Sequence, residues 1–206
     1  MGNLKFSPSV SYESSVLVPV SAYSGLRVPQ GVPAYGPISV PFSRMTQLAP
    51  NKFPAPAGLT VPTKMSVTLK GNWTQTGKSP VQWQFQSGEL ELAVTIAVYI
   101  IDKYAPLDDL FAMIMSHEYL HVKDEIEVAT QFLPQELPKD EWVKKYLIDQ
   151  ALVDNATYCN WFTGDLFKKY ILDTWVEERN RLGRGRDSGA AYERYKQEVA
   201  KLLPKI

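Results

Sequence analysis

The sequence predicts an α+β fold: a small antiparallel or mixed sheet packed on one long helix, followed by a helical C-terminal half. Three observations carry this. Met65, Val67 and Leu69 alternate with polar residues, and Val81, Trp83 and Phe85 do so again beyond a turn region from Gly71 to Ser79, the period of two that buries one face of a strand. Leu90, Leu92, Val94, Ile96, Val98 and Ile100 then repeat the pattern more strictly, with Gly88 as punctuation before them. From Leu107 onward apolar residues recur at intervals of three and four, the helical period.

Each helix has its own boundary signals. Pro106 and the pair Asp108-Asp109 suit a first turn, where proline forfeits no hydrogen bond and acids complement the helix dipole. That helix is predicted from about Leu107 to Phe132, with Pro134 and Pro138 ending it. Three more follow, over Asp140 to Phe162, Gly164 to Asn180 and Ala190 to Leu203, and Gly183 to Gly189 reads as a solvated loop between the last two. Tyr158, Trp161, Trp175, Tyr192 and Tyr195 recur at helical spacing, which assigns them to the core.

Composition narrows the class. With 206 residues, 45% of them hydrophobic, the chain can bury one core and carry an appendage. Twenty-two basic residues balance twenty-two acidic ones, so nothing favours nucleic acid as a partner. Cys159 is the single cysteine, which excludes an internal disulfide and a four-cysteine zinc site. No secretory leader opens the chain, and Leu90 to Ile101 is too short and interrupted to span a bilayer. The expectation is a soluble protein made in the cytoplasm, with any export by a signal-independent route.

Residues 1–62 differ from the rest. Ten of the fifteen prolines lie there, and Glu13 is the only acid. Proline lacks a ladder donor and biases its predecessor toward extended backbone, so a proline-rich extended arm is predicted over 1–62, with the folded domain at 63–206. Leu17, Tyr23, Leu26, Tyr35, Phe42 and Leu48 are too apolar for a solvated linker. They give an arm that lies on the domain, or a segment that docks on a delivery or immunity partner.

The chemistry is concentrated in His117-Glu118-Tyr119-Leu120-His121, which holds both histidines of the chain. Positions i and i+4 lie one above the other on a helix, so two imidazoles can reach one ion. Glu118 sits one residue round, where its carboxylate can take a proton from a water held beside them. The same projected side carries Leu110, Phe111, Ile114 and Glu125, so ionisable groups interrupt a core-facing stripe, an arrangement that is expensive unless they are paired or bind metal.

This H-E-x-x-H pattern resembles the zincin clan of zinc metallopeptidases, in the manner of a small gluzincin-like member. The resemblance implies Zn2+ bound by His117 and His121, with Glu118 as general base and then general acid. It also implies an edge strand that binds the substrate backbone, for which Leu90 to Ile101 or Val81 to Phe85 are the candidates.

A third metal ligand must come from elsewhere. Glu125 is eight residues from His117, about 12 Å along a helix rising 1.5 Å per residue, too far to share its ion. Asp154 is the leading candidate, an acid on an apolar stripe with Val143, Leu147, Ala151, Tyr158 and Trp161; Glu136, Glu141, Glu177 and Glu178 remain alternatives. Asp154 to Cys159 also looks like the second ligand helix of small gluzincin-like proteins, although those usually carry glutamate. Tyr158, or another tyrosine, is the candidate oxyanion donor.

The expected function is therefore zinc-dependent hydrolysis of a peptide amide bond, in a protein or a cell-wall peptide, by an intracellular peptidase or a delivered bacterial toxin. The other reading is a metal-binding structural or interaction module of a phage or secretion apparatus, without turnover.

Overall fold

The computed structural model describes residues 3–51 and 56–202, and the fold is α+β. Among the described residues five strands form one sheet: β1 (Asn3–Tyr12), β2 (Ile38–Val40), β3 (Gly58–Thr76), β4 (Gln82–Ile101) and β5 (Val153–Asp154). β4 is the hub, with order β1-β4-β2 and with β3 and β5 also paired to it. The sheet is mixed, because β2 runs parallel to β4 through Ile38↔Tyr99 to Val40↔Ile101, whereas β5 is antiparallel through Gln82↔Asp154 and Trp83↔Val153.

The two strand segments predicted on either side of Gly88 are one continuous strand. Its alternation is real: Leu90, Leu92, Val94, Ile96, Val98 and Ile100 are all buried. Ala97 and Ile101 are buried as well, so the C-terminal end of β4 is covered on both faces.

The described residues cluster into two units, and the chain passes between them after residues 10, 63, 94, 126 and 178. This division is not the predicted one of an arm over 1–62 and a domain over 63–206. Most of the proline-rich segment is built into the second unit. Val18 N donates to Ala34 O at 2.7 Å and Gly36 N to Val16 O at 2.6 Å, which folds the segment back on itself. Pro41 precedes helix α1 (Phe42–Leu48), a position where a missing N–H costs nothing. The prolines thus shape turns and a helix start instead of keeping the chain extended.

Leu26, Val32, Val40 and Met45 from this segment are buried. At about 1.5–3 kcal/mol for each large apolar side chain, four of them rival the whole net stability of a domain, about 5–15 kcal/mol. Removal of residues 1–62 is accordingly expected to abolish cooperative unfolding. A thermal melt of the 63–206 fragment that keeps the midpoint of the full chain would show the segment to be dispensable.

The second unit also contains most of helix α2 (Asp108–Glu127), which carries the histidine motif. Its buried residues Phe111, Met115, Tyr119 and Val122 fall at three- and four-residue steps. The N-terminal segment is fastened to it: Tyr23 packs on Phe111 with ring centroids 4.6 Å apart, Tyr119 donates its hydroxyl to Tyr35 O at 3.0 Å, and Arg27 N donates to Ser116 Oγ at 2.8 Å. Helix α6 (Gly189–Leu202) completes the unit.

The first unit is where helix prediction erred most. After α2 come a π turn (Val128–Phe132) and short helix α3 (Leu133–Glu136). The predicted helix Asp140 to Phe162 is broken into a π turn (Val143–Ile148), strand β5, the short α4 (Asn155–Thr157) and another π turn (Tyr158–Phe162). Gln150, with φ 55°, marks the break. Helix α5 begins at Leu166 and runs unbroken to Arg186, so it absorbs most of the predicted loop.

Candidate metal centre

α2 places His117 and His121 one turn apart, and their Nε2 atoms lie 3.2 Å from each other. Both rings also face one carboxylate oxygen, Asp187 Oδ1, at 3.2 Å from His117 Nε2 and 3.1 Å from His121 Nε2. Three ligand atoms thus stand at the corners of a nearly equilateral triangle. Ligands about 2.0–2.1 Å from an ion in a tetrahedron are about 3.3 Å apart, so the triangle matches three corners and leaves the fourth open. His117, His121 and Asp187 form a group that can hold a metal ion.

Asp187 is brought there by charge. Arg186, the last residue of α5, clasps Asp124 of α2 with two bonds, Nη2 to Oδ1 at 2.8 Å and Nε to Oδ2 at 3.1 Å. Two turns earlier on α5, Arg179 lies 3.6 Å from Glu125. Asp124 and Glu125 are buried, so the two arginines compensate charges that would otherwise be costly. The chain then turns at Asp187 and Ser188, and Gly189, with φ 78°, takes a left-handed conformation that a side chain would resist. The turn sends α6 back over the histidines. Tyr195 stacks on the His117 ring at 4.4 Å and 17°, and Tyr192 at 5.5 Å and 29°.

Arg186→Ala would leave Asp124 buried without its clasp. We expect a loss of about 2 kcal/mol, less than the about 3–5 kcal/mol of a fully buried pair because solvent reaches the arginine. Asp187 would also lose its anchor, and metal affinity should fall by about 10–100-fold, the usual effect of removing an outer partner. Urea unfolding and metal titration on the same variant check both.

Glu118 is 4% exposed and accepts a hydrogen bond from Thr60 Oγ1 to its Oε2 at 2.9 Å. Strand β3 approaches so closely here that a Cβ on Gly58 would stand 2.5 Å from Ile114 Cγ2 and 2.9 Å from Glu118 Cγ, so only glycine fits. The carboxylate, both imidazoles and Asp187 line one cavity of about 820 Å³, together with Thr60 and Tyr195.

The charges in this cavity act on one another. Burial opposes protonation of His121, but the hydrogen bond that its ring N–H donates to Asp187 and the fields of Glu118, Asp187 and Asp124 outweigh it, and its pKa is raised. Burial, then the fields of Glu118, Tyr192 and Asp187, push the Tyr195 phenol up, which keeps its proton on the oxygen.

Of the residues singled out in the sequence, His117, Glu118 and His121 come together. Asp154 and Tyr158 do not join them. Asp154 belongs to the first unit, where its exposed carboxylate accepts from Thr157 N and Thr157 Oγ1, each at 2.8 Å, as the cap of α4. Those bonds hold its pKa below the ordinary carboxylate value. Tyr158 stacks on Trp83 at 4.2 Å and meets Trp73 edge-on, as part of an aromatic cluster. The carboxylate that joins the imidazoles in a group able to hold a metal ion is that of Asp187, and of the two tyrosines stacked on His117 the closer is Tyr195.

No protein-family model, no curated protein and no solved structure matches this chain. No helix among the described residues is long and apolar enough to cross a membrane.

Proposed function

We propose that this protein is a zinc-dependent hydrolase of peptide amide bonds, of the zincin type that the H-E-x-x-H sequence resembles. The observation that carries this reading is the triangle of His117, His121 and Asp187 with the buried carboxylate of Glu118 in the same cavity. Two nitrogens and a carboxylate oxygen suit zinc, which accepts both and has no geometric preference to be offended by a three-plus-one site. Bound there, the ion would supply Lewis acidity and lower the pKa of water at the open position.

The rest of the chemistry falls to the chain. Glu118, held by Thr60, takes a proton from the attacking water and returns it to the leaving amine. Tyr195 keeps its proton and can donate to the oxygen that becomes negative as the carbonyl is attacked. The Arg186–Asp124 and Arg179–Glu125 pairs keep Asp187 in place while charge develops. A substrate peptide, from a protein or a cell wall, fits a cavity whose walls include Phe42, Leu59, Tyr104 and Val199. Delivery as a bacterial toxin accords with an N-terminal segment rich in exposed Val16 and Leu17, which are available to a carrier or an immunity partner.

The test is direct. Zinc-loaded protein should hydrolyse a mixture of end-capped peptides or muropeptides, stop on addition of a chelator and resume on return of zinc. A protein that binds zinc tightly and cleaves neither mixture would be a metal-binding module without turnover.

A further inference from the structure

A second cavity of about 900 Å³ lies against the same histidine. It shares His117, Tyr192 and Tyr195 with the first, and its other walls include Met113, Leu120 and Ala191. Each cavity is of the size that encloses a drug-sized ligand, about 300–1,000 Å³, and so a few residues of a peptide. The wall between them is therefore the stack of two tyrosines on a metal-ligating imidazole.

The charges in the two cavities point to what can occupy them. In the first, each charged side chain among the described residues already has a protein partner: Glu118 has Thr60, Asp124 has Arg186, Glu125 has Arg179, Asp187 has the imidazoles, and Lys196 has Glu193 at 3.0 Å. Among the described lining residues none is left over to receive a free amine or carboxylate. The second presents Arg27 and Asp109, one charge of each sign, and Arg186, which Asp124 already holds. A site that trims chain ends holds the terminus by a charge-assisted bond beside the scissile bond, and among the described residues the cavity that contains Glu118 and Asp187 offers no unpartnered charge for it.

We infer that the two cavities are the two halves of one groove for an extended chain, crossed at His117 by the tyrosines of α6, so that the substrate is an internal bond of a polypeptide and not its end. The inference rests on the hydrolase reading for the cleavage, though the groove itself can be tested by binding alone. α6 is suited to lie across such a chain: Val199 is its one buried residue among those described, and Gly189 joins it to the rest. Entry of a chain would displace the Tyr195 ring from His117 and free its hydroxyl to face the carbonyl.

The experiment uses full-length, zinc-loaded Glu118→Gln protein and a fluorescent decapeptide library, either acetylated and amidated or with free ends, read by anisotropy. Ala191 lines the second cavity and Ala200 the first, and both are exposed on α6, so tryptophan at either narrows one half only. Expected are dissociation constants for capped and free-ended peptides that agree within tenfold, and a weakening of tenfold or more from Ala191→Trp and from Ala200→Trp alike. Should either tryptophan variant fail to show the parent's circular dichroism, the phenylalanine variant at that position replaces it. A tenfold or greater preference for free ends, a smaller effect from either narrowing variant, or no binding of capped peptides overturns the groove. Wild-type cleavage of free-ended peptides only would leave the hydrolase standing without it. Capped-peptide binding across both halves without wild-type cleavage would leave the groove standing without the chemistry.

Discussion

Asp187→Ala should lose the metal, and Asp154→Ala should keep it. Removing Asp187 leaves two imidazole nitrogens 3.2 Å apart without the one carboxylate oxygen that lies within 3.2 Å of both. Losing an outer partner of a metal ligand typically weakens binding by about 10–100-fold, so loss of a ligand itself should exceed about 100-fold. The fold should survive, since Asp187 stands in a turn and its side chain is 25% exposed. Asp154→Ala loses the cap of the short helix α4 and nothing at the histidines. Competition with a chromophoric chelator measures both variants. Tight zinc binding by Asp187→Ala would return the search for a ligand to the other carboxylates of the cavity, Glu118, Asp124 and Glu125.

Glu118→Gln should retain the metal and lose hydrolysis by about 10²–10⁴-fold, the range that a positioned general base contributes. The amide keeps the shape of the side chain and can still meet Thr60, so circular dichroism and melting should hardly change. Only the capacity to take a proton is gone. An unchanged rate in this variant would exclude Glu118 as the base, and Asp124, the next buried acid on α2, would be the residue to substitute.

The legible part of the molecule was whatever a local period encodes. The two-residue alternation of β4 and the four-residue step from His117 to His121 each depend on one element's geometry, so both could be read from the sequence. Asp154 was misread because its apolar stripe assumed one helix from Asp140 to Phe162. A left-handed Gln150 and two π turns break that helix, and a period has no meaning across a break. Asp187 was missed for the opposite reason. Gly-Arg-Gly-Arg-Asp-Ser-Gly has the composition of a loop, yet α5 continues to Arg186 because buried Asp124 and Glu125 each draw an arginine to them. The signal was present as matched spacing: Arg179 and Arg186 are two turns apart, on a helix whose partner carries adjacent acids.

An ion held by His121 and Asp187 also ties together residues 66 positions apart in the chain. A permanent cross-link of that span would restrict the unfolded chain by about 4 kcal/mol, between the values for short and long disulfide loops. Here the tie is reversible, and its strength follows mass action: about 4.1 kcal/mol when the free ion stands at about 1,000 times its dissociation constant, and nothing when it is absent. The melting temperature is then a reading of the surroundings as much as of the polypeptide. In a metal-poor compartment the same chain would be looser, its last helix released first, and open to proteases.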